Sequence, residues 1–192
     1  MSKYIPRLLE NYNNEIKKTL LADLKIKNSM RAPKLLKIAL NIGFGQARMN
    51  ENQLKAAIDE LSNIAGQKAV VTKSKKAISN FKIRENDPVG IKVTLRNIKM
   101  YEFLDRFISV ASPRIRDFRG LSSNGFDGSG NFNFGITEQI IFPEINYDRI
   151  KKISGMNINV VTSAKSDFEA YKLLLAFGLP IKENKKLTKQ TN

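Results

Sequence analysis

Two hydrophobic periods alternate along this 192-residue chain, and the switches between them mark its elements. Over residues 5–21, Ile5, Leu8, Leu9, Tyr12, Ile16 and Leu20 recur at helical spacing, which predicts a helix; Pro6 is tolerated in its first turn. Pro33 breaks the chain. Residues 37–43 then alternate, with Ile38, Leu40 and Ile42 on one face and Lys37, Ala39 and Asn41 on the other. That is the signature of a half-buried strand. Leu54, Ala57, Ile58, Leu61, Ile64 and Ala65 predict an amphipathic helix over 51–65. Asn50 is its expected N-cap, Gln53 the capping-box partner, and Gly66 its stop.

Extended patterns follow at 68–72 and 77–83, and an Asp87-Pro88 turn leads into a strand at 89–96. There Val89, Ile91, Val93 and Leu95 point one way and Lys92, Thr94 and Arg96 the other. Asn97 is placed to cap a helix over 98–111, which Pro113 ends. A loop, Arg114 to Gly120, precedes a segment punctuated by Gly125, Gly128, Gly130 and Gly135 that carries Phe126, Phe132 and Phe134. Residues 138–142 read as extended and 156–163 as a strand. Ser166 and Glu169 form a capping box before a last helix, 167–177. The order predicts an α+β fold: a largely antiparallel sheet with helices packed on one face and the other face open. Residues 1–181 are expected to form a single domain and 182–192 a polar, basic, flexible tail.

Composition then narrows the function. Lys plus Arg is 33 and Asp plus Glu 18, a net charge of +15. Such an excess repels itself and is best explained by a polyanionic partner. Cysteine and histidine are both absent, which removes thiolate metal sites and the usual general base near neutral pH. No apolar run reaches the roughly 20 residues that span a bilayer, and no basic amphipathic helix argues for a membrane surface. The expectation is a nucleic-acid-binding protein, not an enzyme, with no cofactor and no metal.

Three places carry candidate chemistry. The open sheet face presents Asn41, Lys92, Thr94, Arg96, Asn157 and Asn159, groups able to hydrogen-bond phosphates, ribose hydroxyls and base edges. The competing reading is an ordinary solvated face. Residues 68–84 hold six cations and no acid, with Lys73, Lys75, Lys76, Lys82 and Arg84 around a strand–loop–strand and Phe81 available for stacking. The loop arginines Arg114, Arg116 and Arg119 can fork onto phosphates, or pair with Asp117, Asp127 or Glu138. The glycines at 125–135 do not have phosphate-loop spacing, and the phenylalanines beside them are read as core. A metal-dependent nuclease built on Asp117, Asp127, Glu138 and Glu144 is a remote alternative, and a free-standing RNA chaperone or regulator another.

Strings in fixed order add a resemblance. They include Asn41-Ile-Gly-Phe-Gly45, Gly66-Gln67-Lys68, Thr72-Lys-Ser-Lys-Lys76, Phe81-Lys-Ile-Arg84 and Pro88 to Arg96. Pro113 to Ser122, Phe126-Asp-Gly-Ser-Gly-Asn131, Glu138 to Glu144 and Thr162 to Asp167 continue the series. From about Tyr4 to Ile181 the chain resembles the bacterial-type large-subunit ribosomal protein number five family, the 5S-rRNA-binding proteins of the central protuberance. The resemblance implies a structural role in a cytoplasmic ribosome, an organellar one remaining open. It implies 5S rRNA contacts at Asn41, Gln67 and Thr94, with Lys92 and Arg96 adjacent. It directs Lys73, Lys75, Lys76, Asn80, Phe81, Lys82 and Arg84 towards P-site tRNA. Near Arg114, Arg116 and Arg119 it implies an intersubunit bridge to small-subunit ribosomal protein thirteen. Further partners implied are 23S-type rRNA and neighbouring central-protuberance proteins. The acidic turn Glu85-Asn-Asp-Pro88 and the length of the tail depart from the family pattern.

Overall fold

Segments of period two become strands and those of helical period become helices in the computed structural model, which describes residues 4–44, 51–145 and 153–183. The fold is α+β, with an antiparallel five-stranded sheet of order β2-β3-β1-β5-β4. Strand β1 is Leu35–Gly43, β2 Val70–Lys73, β3 Pro88–Leu95, β4 Phe132–Ile136 and β5 Met156–Thr162. The central strands each bury one side: Ile38, Leu40 and Ile42 on β1, Ile91, Val93 and Leu95 on β3, and Met156, Ile158 and Val160 on β5. The alternate residues Asn41, Lys92, Thr94, Asn157 and Asn159 stay accessible. The sheet therefore has one apolar face and one uncovered polar face, as period two requires.

Contacts divide the chain into two units. One comprises residues 1–38, 96–134 and 159–192. Its helices are α1 (Arg7–Asn11), α2 (Lys17–Asp23), α4 (Asn97–Arg106) and α5 (Asp167–Ala176). Tyr12 stacks on Phe177 at 5.8 Å between ring centroids, and its hydroxyl donates to the Pro33 carbonyl at 2.9 Å. Phe126, Phe132 and Phe134 form an aromatic cluster with Phe107 and Tyr171; Phe132 is fully buried, and Phe126 and Phe134 are half-buried against it. The other unit comprises residues 39–95 and 135–158. Its helix α3 (Glu51–Ala65) packs on β3 and buries Ala57, Leu61, Ile64 and Ala65. The Ser62 hydroxyl accepts the Ala69 N–H at 2.9 Å, which ties the helix to the approach to β2.

Four expectations need correction. The first helix is not continuous α: a π-helical turn, Tyr12–Ile16, separates α1 from α2. Residues 77–83 are not a strand. They form a single bridge, Ile78 to Ile83, around a 3-10 turn at Ser79–Phe81. Ile78 and Phe81 are 44% and 51% exposed, so no core is present to hold an extended ladder there. Residues 138–142 are a 3-10 turn, Gln139–Ile141, and the strand lies earlier, in the glycine-punctuated segment, as β4. Fully buried Phe132 and buried Ile136 anchor β4 and override the turn signal of its glycine neighbours. Asn97 caps nothing: α4 begins after extended Arg96 with no side-chain cap, and continues through a π turn, Phe107–Ala111. The Asn50 cap and the tail from residue 184 lie outside the described residues.

Candidate nucleic-acid interface

The second unit holds the sheet-face candidates Asn41, Gln67, Lys92 and Thr94. Gly66, at φ 61°, takes the left-handed conformation that ends α3, and Gln67 emerges exposed beyond it. Its Nε2 donates to the Thr94 carbonyl at 3.4 Å, so the side chain is fastened to the strand carrying two of the other candidates. The register pairs Val70 with Lys92 and Thr72 with Gly90, which adds Val70 and Thr72 to the face. A Cβ on Gly90 would sit 2.7 Å from the Ile42 carbonyl oxygen, so only glycine lets β3 and β1 meet without a distortion of the face. Among the described residues, the side chains of Asn41, Thr94 and Asn157 take no hydrogen-bond partner, and Lys92 no ion-pair partner. Their hydrogen-bonding capacity is left for an external ligand. Arg96 directly follows β3, is exposed, and opens a segment of the first unit.

The basic segment is an irregular extension of the β2–β3 hairpin. Ser74 and Asp87 close its base, with Ser74 N–H donating to the Asp87 carbonyl at 2.8 Å. The paired Ile78 and Ile83 brace its middle. Lys82 holds a left-handed φ of 54° and turns the tip. Lys73, Lys75, Lys76, Asn80, Phe81, Lys82 and Arg84 are all exposed. The acidic turn has a local explanation: the Asp87 carboxylate accepts the Arg84 N–H at 2.8 Å and shapes the return.

The loop of Arg114, Arg116 and Arg119 lies in the first unit, and all three side chains are exposed. Asp127 is engaged elsewhere. Its carboxylate accepts the Asn131 side-chain amide at 2.7 Å, the Ser129 N–H at 2.8 Å and the Asn131 N–H at 3.1 Å. These bonds, the Asn131 amide first, hold its carboxyl below the usual range. Asp167 on α5 accepts the N–H groups of Gly128 and Gly130 at 3.0 and 2.9 Å. The glycine-rich turn is thus organised by its own aspartates. Among the described residues the arginines form no ion pair with Asp117, Asp127 or Glu138, which leaves their forks free for phosphate or carboxylate. Nor do three acids gather into a metal-binding group among those residues.

Two family models match in tandem. One, described as ribosomal protein L5, covers residues 28–84, and the other, the C-terminus of the same ribosomal family, covers 88–181. A large ribosomal subunit protein uL5 from Clostridium tetani is 53% identical over 176 residues, 92% of this chain and 98% of the relative. Proteins of the same name from Campylobacter hominis and Geobacter sulfurreducens are each 54% identical, over 93% and 92% of this chain and 99% and 98% of their own.

The chain belongs to the ribosomal protein L5 family.

Membership makes it a ribosomal, RNA-binding protein. The first L5 match spans β1, α3, β2 and the basic hairpin; the C-terminal match begins at β3 and ends beyond α5. The sheet face draws on both matches. Val70 and Thr72 were missed as face residues because four residues of β2 give too short an alternation to read; the signal was their register with β3. Asn133 on β4 is exposed as well and was missed together with its strand.

Proposed function

We propose that this L5-family chain is a structural protein of the large ribosomal subunit. It binds 5S rRNA in the central protuberance, contacts P-site tRNA and helps form an intersubunit bridge. The observation that carries the 5S reading is the uncovered sheet face, where amide, hydroxyl and ammonium groups project from rigid strands without partners among the described residues. Fixed neutral groups supply register on a folded RNA, while the cations around them supply much of the affinity. Lys73 to Arg84 extend on a braced hairpin towards tRNA. Arg114, Arg116 and Arg119 serve the bridge to small-subunit ribosomal protein thirteen or the adjoining rRNA. No catalytic residue is assigned.

A binding titration tests the face. Asn41→Ala with Thr94→Ala should weaken 5S rRNA binding about tenfold or more and leave binding to unrelated RNA nearly unchanged. Equal loss for both RNAs would reject the reading.

A further inference from the structure

An acidic turn closes the basic hairpin, and its carboxylate is used by the hairpin's own backbone. The antiparallel register of β2 and β3 jumps from Thr72–Gly90 to Lys73–Pro88, which leaves Val89 as a bulge. The Val89 carbonyl accepts the Phe44 N–H at 3.0 Å, so the bulge is tied to the end of β1. Bulges re-aim a strand, and the hairpin leaves the sheet just beyond this one. Ser74 then closes the base through both of its backbone groups. Its N–H donates to the Asp87 carbonyl at 2.8 Å, and its carbonyl accepts the Asn86 N–H at 3.0 Å. Its hydroxyl donates to the Lys76 carbonyl at 2.7 Å. On the return, the Arg84 N–H donates to Asp87 Oδ2 at 2.8 Å, and the Asp87 N–H donates to the Arg84 carbonyl at 3.3 Å. Asp87 therefore holds both backbone groups of Arg84. Lys82 and Asn86, on either side of Arg84, have left-handed φ values of 54° and 65°, a conformation that residues other than glycine populate sparsely. Ile78 and Phe81 face solvent, so hydrogen bonds rather than packing hold this shape.

Charge and geometry make opposite demands on Asp87. Its carboxylate shares a hairpin with Lys73, Lys75, Lys76, Lys82 and Arg84, and it would repel the phosphates those cations attract. Its hydrogen bonds fix the cations' backbone. We propose, resting on the tRNA-facing reading of the hairpin, that Asp87 is a positioning residue: it sets Arg84 relative to Ser74, and this preorganisation outweighs the repulsion between its carboxylate and RNA phosphate. A cation whose backbone is already placed loses less conformational entropy on meeting its phosphate.

The test follows release of tRNA from the P site of ribosomes reconstituted with the full chain. Asp87→Ala removes both the charge and the acceptor. Asp87→Asn removes the charge but keeps a carbonyl oxygen for the Arg84 N–H. With geometry in control, Asp87→Ala should release tRNA about three- to fivefold faster than the parent, and Asp87→Asn should hold it at least as well as the parent. With charge in control, both variants would hold tRNA more tightly. Amide hydrogen exchange in the free protein gives a readout independent of tRNA. The Arg84 N–H should exchange about fivefold faster or more in Asp87→Ala and stay within about twofold of the parent in Asp87→Asn. Unchanged affinity of both variants for 5S rRNA excludes misfolding as the cause. The positioning role is overturned if Asp87→Ala holds tRNA as well as the parent, if Asp87→Asn loses as much as Asp87→Ala, if Arg84 exchange does not respond, or if 5S rRNA affinity falls in step. Lys73→Ala/Lys75→Ala/Lys76→Ala separates the two levels. Where it releases tRNA faster and Asp87→Ala does not, the positioning role alone falls; where it too holds tRNA like the parent, the tRNA-facing reading falls as well.

Discussion

Single side chains here are divided between those spent inside the protein and those kept for a partner, and Asp127 shows how the division is enforced. An exposed carboxylate on so basic a chain would oppose a polyanion. Instead three N–H donors from Ser129 and Asn131 surround it. Asp127→Ala should destabilise the protein by about 1 kcal/mol at neutral pH, a modest figure because the group is solvent-screened. The pH dependence follows from the depressed carboxyl. Its stabilisation is present above the ordinary aspartate range and is lost as pH falls through the lower folded value. Urea unfolding of parent and variant should therefore differ at pH 7 and converge in strong acid. A constant difference at all pH values would show that the carboxylate's charge is not what matters. Asn41 and Lys92 were legible from alternation alone because neither needs tertiary context to be placed. The use of Asp127 was not, because Asn131 can accept or donate and the sequence leaves open which acid it serves.

At the level of elements, what could be read depended on length and on burial. β1, β3, β5 and α3 carry enough repeats to fix period and face, and the structure returns them within two residues. The hairpin was misread because its apolar residues Ile78 and Phe81 face solvent, while the sequence rules assume that such residues seek a core. β4 was hidden by Gly130 and Gly135, and its strand state is decided by Phe132 packing among Phe126 and Phe134. The hairpin's separation from the sheet face has a functional consequence. Its cations project from a braced extension whose closure uses backbone groups and Asp87, not lysine side chains. Changing Lys73, Lys75 and Lys76 to Ala should leave the fold and 5S rRNA affinity within about twofold of the parent. The same change should weaken tRNA retention in the P site several-fold, because up to three phosphate contacts are lost. Filter binding of tRNA to reconstituted ribosomes reads this directly, and undiminished retention would remove tRNA from the hairpin's partners.

For the whole molecule, a net charge of +15 on 192 residues sets stability against function. Cations held close without counter-charge repel one another, so the free protein carries a cost of folding that a polyanion removes. Salt acts on the two states in opposite directions. Raising it from about 0.02 M to about 0.3 M shortens the screening length from roughly 20 Å to roughly 6 Å. The melting temperature of the free protein should then rise by several degrees as self-repulsion is screened. Over the same range its affinity for 5S rRNA should fall by about a hundredfold or more as counterion release loses its advantage. With 5S rRNA bound the sign reverses: the complex melts higher than the free protein at low salt, because binding stabilises the folded state, and that margin shrinks as salt dissociates the RNA. Thermal unfolding by circular dichroism, followed across the salt series with and without RNA, separates these trends. A free protein whose melting temperature is indifferent to salt would mean that its surface charges are too far apart to interact. The excess of lysine and arginine would then reflect recognition alone, with no stability held in reserve for the bound state.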